Sequence, residues 1–304
     1  MRHFLNALRG VQHLAFAAAA LALAMAGFTV AVTKPALAEF EIQESEVEKG
    51  EVELEYRGAV HWGVPNPGGE EAKGGDDDEA VVGALEEEEE EPGLRQSHDF
   101  EIQYGITERW MISTSVSADE PLDQDFNVSE VEIEGQYELI ERDGNGIGLA
   151  FAAGYGFATR SGEADELEFA PIVELASGPL LLTLNPYFGT QVGENKQNDG
   201  LGFEYGWRAE YKIAERWGAG VEMFGEIEDL SNSGPFESQN HSIGPTLFYN
   251  PGADDDDVGG QGDEDEDEIA GAPEMELSFN VGVQFGLTDM TSDTALKFQG
   301  GISF

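Results

Sequence analysis

Apolar and polar side chains alternate along most of the chain after residue 50, with the period of two that β-strands have. The run VSEVEIEGQYEL shows it clearly, because Val131 and Ile133 alternate with Glu130, Glu132 and Glu134. About twelve runs of this kind follow one another, and an even number is what single-chain bacterial barrels have. A soluble β-sandwich would also alternate, but its outward face would carry mixed charge with lysine. The pattern predicts an all-β fold, a transmembrane antiparallel β-barrel of about 12 strands with long acidic loops.

The connections between these runs alternate in length, as they do in barrels with periplasmic termini. Short turns are predicted after strands two, four, six and eight, at 107–109, 143–146, 177–178 and 215–216. The outward loops are longer, at 64–97, 119–127, 160–166, 194–200 and 230–240. A second acidic tract, 252–274, breaks the rule because it joins strands ten and eleven on the periplasmic side. It is either a periplasmic insertion, which we favour, or a sign that one strand is miscounted.

The N-terminal 38 residues have the organisation of a secretory signal peptide. Arg2 and Arg9 precede a long apolar run, and Ala36-Leu37-Ala38 is an A-x-A cleavage site. We therefore expect residues 1–38 to be removed near Ala38 and residues 39–304 to form the barrel. An uncleaved membrane anchor is the alternative, because the apolar run is nearly long enough to span a bilayer. The chain has no cysteine, so the exported protein does not depend on disulfides.

The C-terminus ends inside a strand pattern rather than in a polar tail. Leu296, Phe298, Ile302 and the final residue Phe304 share one face. A closing strand with a terminal aromatic resembles the signal that outer-membrane barrels present to their assembly machinery. We therefore expect Phe298, Ile302 and Phe304 to act as that signal, and we expect the protein to reside in the lipid of the cell outer membrane.

The charge of the chain is extreme, with 15 Lys+Arg against 62 Asp+Glu and a formal net charge of −47. The signal peptide holds three of the bases and no acid, which leaves −50 for the mature chain. Such a surface disfavours nucleic-acid partners. Gly-rich acidic loops at 64–97 and 252–274 hold much of the acid and are predicted to be disordered. No cofactor is expected beyond weak divalent-cation binding, because the spacing does not match an EF-hand loop; the candidate calcium ligands are Asp254, Asp255, Asp256 and Asp257.

The polar faces of the strands predict an acidic lumen, which would concentrate cations and repel anions. The predicted lumen-facing acids are Glu53, Glu55, Glu101, Glu130, Glu132, Glu134, Glu138, Glu204, Glu210, Glu222 and Glu226. The predicted lumen-facing bases are Arg57, Arg208, Lys212 and Lys297. The alternative is that these bases pair with neighbouring glutamates into a rigid plug that conducts nothing.

Three stretches resemble a family of outer-membrane barrels named for a phenol-degradation meta pathway and often described as transporters. FEIQYGITERWMISTSV is similar to that family's strand–turn–strand signature, and HSIGPTLFYN and FGLTDMTSDTALKFQGGISF are similar to its last hairpins. The resemblance covers most of residues 97–304. It implies an outer-membrane barrel linked in some cases to uptake of aromatic or apolar compounds. The acidic tracts depart from the family pattern, as does Ser292 where proline is expected, and this departure leaves the substrate class open.

Passive transport of small solutes, with a preference for cations if the lumen is open, is the function that the sequence predicts. A structural or adhesion barrel, whose acidic loops bind divalent cations or lipopolysaccharide, is the alternative. No enzyme activity is predicted, because His241 and Ser242 are adjacent in a strand and should face opposite ways. His61 and His98 flank the first acidic loop and are a weak candidate metal pair. Nothing in the sequence predicts the oligomeric state.

Overall fold

Twelve antiparallel β-strands form a closed barrel in the computed structural model, which describes residues 40–65, 94–122, 124–196, 199–250 and 275–304. In chain order, the strands β1 to β12 are Val52–Trp62, Leu94–Gly105, Trp110–Pro121, Asn127–Ile140, Gly146–Ala158, Asp165–Ser177, Leu180–Val192, Gly202–Ala214, Trp217–Ile227, Asn240–Tyr249, Glu276–Gly286 and Thr294–Ser303. The predicted all-β antiparallel barrel and its strand number are confirmed, and the long acidic loops stay a prediction. A short 3₁₀ turn, Phe236–Ser238, lies between β9 and β10. No helix in the described ranges is long and apolar enough to cross a membrane.

The first and last strands pair with each other and close the barrel. Ten residue pairs join β1 to β12, from Glu53 opposite Ser303 to Trp62 opposite Thr294. Val52 and Phe304 exchange backbone hydrogen bonds of 3.0 and 3.1 Å, so the final residue belongs to the closing ladder. This pairing removes the two free edges that an open sheet would expose.

Connection lengths divide the barrel into two ends. We call the end with the termini and the β2–β3, β4–β5, β6–β7 and β8–β9 turns the short-turn end, and the other the long-loop end. The connection between β10 and β11 belongs to the short-turn end by strand order, so no strand is miscounted, and the periplasmic position of the second acidic tract stays a prediction. β2 begins at Leu94, inside the predicted loop 64–97. The remaining predictions for residues 1–38, 66–93 and 251–274, including the candidate calcium ligands Asp254 to Asp257, concern residues outside the described ranges.

The outer face of the barrel is apolar and exposed, as a lipid-facing surface must be. Side chains at mid-strand, such as Ile133, Phe151, Leu184 and Val281, are about two-fifths exposed or more in the isolated chain. Aromatic side chains collect towards both ends. Trp110 packs on Tyr137 with ring centroids 4.7 Å apart near the short-turn end. Phe188 packs on Phe203 at 5.2 Å towards the long-loop end. Two aromatic girdles around an apolar band are the surface of a membrane-spanning barrel.

Candidate functional site: the barrel lumen

The interior face carries charged side chains at the positions that alternate with the apolar ones. All eleven predicted lumen acids fall on the interior face by strand register, and Glu101, Glu130, Glu134, Glu138, Glu210 and Glu222 are buried. Three predicted bases, Arg57, Arg208 and Lys297, are buried there too. Lys212 is different, because it is exposed at the short-turn end where a bulge interrupts the β8–β9 register. The predicted lumen position of Lys212 is therefore corrected to the mouth of the barrel.

Arg57 on β1 is the centre of a buried charge cluster. Its guanidinium lies 2.8 Å from Asp99, 2.9 Å from Glu55, 3.0 Å from Glu41 and 3.2 Å from Glu101. The register requires this arrangement, because Arg57 pairs with Asp99 across β1 and β2 and Glu55 pairs with Glu101 one step along. A planar fork of N–H donors suits several carboxylates at once. One arginine thus gathers four acids from three parts of the chain.

The segment that precedes β1, residues 40–51, runs inside the barrel. Phe40 stacks on His61 of β1 at 5.8 Å and meets the edge of the Phe224 ring on β9 at 5.1 Å, towards the long-loop end. Lys49 pairs with Glu108 at the short-turn end. Gly50, with φ of 89°, then turns the chain into β1. We call residues 40–51 the lumen segment. No pattern in the sequence predicted its position.

Hydrogen bonds fix the lumen segment to three strands of the barrel, β4, β6 and β7. Asn185 of β7 clamps Gln43, accepting from its backbone N–H at 2.7 Å and donating to its carbonyl at 3.2 Å. The Gln43 amide donates to Glu134 of β4 at 3.0 Å. Ser45, which is fully buried, donates to Glu174 of β6 at 2.5 Å. These contacts satisfy polar groups that burial would otherwise leave costly.

The lumen segment also neutralises interior bases. Glu44 pairs with Arg208 of β8 at 2.7 Å, and Glu41 pairs with Arg57. The third buried base, Lys297 of β12, pairs instead with Glu222 of β9 at 2.5 Å. Glu41 and Glu44 of the segment therefore meet the bases of β1 and β8, and its Gln43 and Ser45 meet acids of β4 and β6. In the stretch EIQES, residues 41–45, the acidic side chains meet arginines and the neutral donors meet glutamates.

Several interior acids were missed by the sequence analysis. They are Asp99, Asp119, Glu166, Glu168 and Glu174. The three on β6 could have been found from the alternation in ELEFAPIVEL, which puts Leu167, Phe169 and Leu175 outside. Asp119 is paired with Arg160 from the β5–β6 connection, a contact between chain positions that strand periodicity does not link.

The histidines considered as metal ligands or catalytic groups lie on both faces of the barrel wall. His61 faces the interior and bonds to Ser292 at 2.8 Å, while His98 lies on the outer face and bonds to the Tyr56 hydroxyl at 2.7 Å. His241 bonds to Tyr205 on the outer face, and Ser242 points inward. The adjacent pair therefore faces opposite ways. Within the described ranges, no three His, Asp or Glu side chains have the spacing of a metal site.

Breaking the Lys297–Glu222 pair should cost far more than breaking an exposed pair. We expect Lys297→Met to lower the free energy of unfolding by about 3–5 kcal/mol, because Glu222 would remain buried and, among the described residues, would keep Thr246 as its hydrogen-bond donor. The double variant K297M/E222Q should recover much of that loss. Urea unfolding of the refolded barrel in detergent measures all three.

The exposed Lys49–Glu108 pair is the control, and Lys49→Ala should change the unfolding free energy by less than about 1 kcal/mol. Equal costs for K297M and K49A would contradict a buried pair. A double variant as unstable as K297M would show that lost packing, rather than an unpaired charge, causes the effect.

No family model and no curated protein sequence matches the chain. The resemblance to the phenol-degradation family therefore stays a prediction. Among solved structures, the barrel is similar to the NanC porin, with a TM-score of 0.45 and 9% identity, over 83% of this chain and 98% of that one. It is also similar to the KdgM porin, with a TM-score of 0.42, 10% identity and coverages of 83% and 98%. Omp33 of Acinetobacter baumannii is a third similar structure, with a TM-score of 0.36 and 9% identity, over 84% of this chain and 98% of that one. These TM-scores are below 0.5, so the fold described above rests on strand pairing alone.

Proposed function

We propose that the protein is an outer-membrane barrel that lets small solutes cross passively, with a preference for cations, and that the lumen segment narrows the passage. The observation that carries the proposal is the charge of the interior. Carboxylates line strands β1, β2, β4, β6, β8 and β9, and the interior bases Arg57, Arg208 and Lys297 are already paired. An acidic lumen of this kind raises the local concentration of cations and repels anions.

The proposal includes residence and assembly. An apolar outer face with two aromatic girdles suits a bilayer, and the predicted signal peptide would export the chain towards the outer membrane. Phe298 packs over Gly58 and against Tyr56 on the outer face, and Ile302 is exposed there. We propose that these residues, with Phe304, are recognised by the assembly machinery. Contact with outer-membrane lipid and lipopolysaccharide follows from the same placement.

Ion selectivity tests the proposal. Refolded protein in a planar bilayer under a salt gradient should give a reversal potential that favours cations. The charge-reversal variant Glu53→Lys should lower the cation-to-anion permeability ratio by at least about twofold, because Glu53 lies among Glu44, Glu51 and Glu55 on the lumen side. Single-channel recording measures both proteins.

Glu108→Lys is the matched control, since Glu108 is exposed on a turn. It should leave the ratio nearly unchanged. An anion-preferring wild-type barrel would contradict the proposal. A folded barrel that is silent even without the lumen segment would favour the structural or adhesion barrel, in which the acidic loops bind divalent cations or lipopolysaccharide.

A further inference from the structure

Two prolines face each other across the barrel wall at the middle of its height. Pro171 and Pro186 are the central residues of two 13-residue strands, β6 and β7. The regular pairing of these strands is missing over residues 170–172 of β6 and 185–187 of β7, and it is intact on either side. Proline has no backbone N–H, so neither residue can donate a hydrogen bond to the other. We call this unpaired stretch the proline seam.

A gap of this kind is exceptional in a wall that faces lipid. Proline in a sheet is otherwise confined to edge strands and bulges, and a closed barrel has no edges. Across the seam, the carbonyl groups of Pro171 and Pro186 lose the donors that any other residue type would supply. Water cannot replace those donors in the hydrocarbon region of a bilayer. The two strands are therefore held together here by packing and by the pairs on either side.

A second, smaller gap shows what is particular to the proline seam. Pro245 of β10 faces Val283 of β11, and two residue pairs are missing there. One donor is lost instead of two, and the strands stay so close that a Cβ atom on Gly244 would overlap the Val283 carbonyl oxygen. The interior side is polar, because Thr246 donates to Glu222. The β10–β11 gap is therefore closed and has no apolar approach from the lumen.

The wall is apolar on both sides of the proline seam. On the outer face, Phe169 stacks on Phe188 at one end of the gap, with ring centroids 5.2 Å apart. On the inner face, Tyr187 covers a cluster of small and aliphatic side chains on β5 and β6. The members of the cluster, none of them more than 1% exposed, are Ala150, Ala152, Ala170 and Ile172. A continuous apolar path thus crosses the wall in a barrel whose interior is otherwise lined with carboxylates.

Tyr187 is the cover between the apolar cluster and the lumen. Its hydroxyl group is buried and has no hydrogen-bond partner among the described residues. The ring is therefore held by packing alone and can turn aside without breaking a hydrogen bond. Asn185, the other interior residue of β7 at the seam, holds the Gln43 backbone of the lumen segment. The lumen segment is thus fixed beside the cover.

We propose that the proline seam is a lateral opening through which small apolar molecules pass between the lumen and the bilayer. When β6 and β7 part, the opening extends from Phe169 to Val173, which is roughly 13 Å along the strand. Its apolar lining excludes ions, so it is a second route beside the passage along the barrel axis. The inference rests on the membrane residence included in the proposed function and is independent of the ion preference.

Cysteine labelling from the bilayer tests the opening. The natural chain has no cysteine, so Ala152→Cys places a single thiol in the buried cluster behind the seam. In the refolded mature protein in liposomes, N-dodecylmaleimide dissolved in the lipid should label this thiol. Adding P171A/P186A restores both N–H donors and should slow the labelling at least about fivefold, because the strands can then pair. Thr246→Cys, 4% exposed behind the β10–β11 gap, is the matched control and should stay unlabelled.

Hydrogen exchange of the unmodified barrel gives a second measurement that needs no variant. Successive N–H groups point to opposite sides of a strand, so those of Phe169 and Val173 face the seam. Those of Ala170 and Ile172 face β5, where the pairing is regular. We expect the two seam-facing amides to exchange at least about tenfold faster than their two neighbours, because the seam opens while β6 stays paired with β5.

Equal exchange at the four amides would overturn the inference, as would an A152C thiol that stays unlabelled in a folded barrel or reacts equally fast in P171A/P186A. Labelling at the same rate by a sulfonated, water-soluble maleimide would also overturn it, because the thiol would then be reached from the aqueous lumen. Cation-preferring conductance with an unlabelled A152C thiol would leave the proposed function standing and remove the lateral opening. Seam-dependent labelling of an anion-preferring barrel would do the reverse.

Discussion

A barrel that lacks residues 39–48 is expected to conduct at least about threefold more than the intact mature protein, because eight strands already enclose an interior just filled by side chains and twelve enclose more. In the intact chain the lumen segment occupies that extra space from Phe40 near the long-loop end to Lys49 at the short-turn mouth. Single-channel recording of the shortened protein under symmetric salt measures the change. Its folding is checked by heat-dependent mobility on a gel.

The barrel should survive this deletion. Strand β1 begins at Val52, and its pairing with β12 and β2 does not involve residues 40–48. Arg208 would lose Glu44 but keep Glu210 at 3.9 Å, and Arg57 would keep three of its four acids. The remaining cost is the loss of the buried contacts of Ile42, Ser45 and Val47. Deletion should therefore lower stability moderately while it opens the passage.

Two controls distinguish the space that the lumen segment fills from the hydrogen bonds that hold it in place. A Gly/Ser segment of the same length in place of residues 40–48 should give intermediate and fluctuating conductance, because the chain is present but not held. Asn185→Leu removes both hydrogen bonds to the Gln43 backbone and should give brief openings of the intact protein. Unchanged conductance after deletion in a folded barrel would show that side chains, and not the segment, set the passage.

Strand positions and interior faces could be predicted because both depend on local alternation. Successive side chains of a strand point to opposite faces, so the inward placement of Glu132, Arg57 and Lys297 follows once their strands are identified. Lys212 also occupies an inward position in the alternation, but it lies near the end of β8, directly before a register shift, where alternation no longer decides burial. The alternation in β6 was as strong as in β4, so Glu166 and Glu168 were predictable and were overlooked.

The lumen segment could not be predicted in this way. Residues 40–51 are too short and too irregular in pattern to give a period, and their partners are scattered from Arg57 to Arg208 along the chain. Complementarity of Glu41 and Glu44 to those arginines becomes visible only when the barrel brings β1 and β8 around the same space. The asymmetry of the lumen, with buried bases on β1, β8 and β12 and only acids among the charged interior positions of β4 and β6, has the same origin.

Arg57→Met is expected to destabilise the barrel strongly, lowering the free energy of unfolding by about 3–5 kcal/mol. Arg57 is 6% exposed and has four acids within 3.2 Å, so its removal leaves Glu41, Glu55, Asp99 and Glu101 to repel one another in a region of low dielectric. Urea unfolding of the refolded barrel, followed by tryptophan fluorescence, measures the loss.

The conservative variant Arg57→Lys keeps the charge but not the planar fork, so it should fall between wild type and Arg57→Met. Arg95→Met is the matched control, since the Arg95 side chain is 47% exposed and pairs with Glu120 at the surface, and it should cost less than about 1 kcal/mol. If repulsion among the acids causes the loss, adding E101Q and D99N to Arg57→Met should recover part of it, because two of the four like charges disappear. An Arg57→Met barrel as stable as wild type would mean that these acids do not carry full charge in the lumen, and the acidic passage would lose its main support.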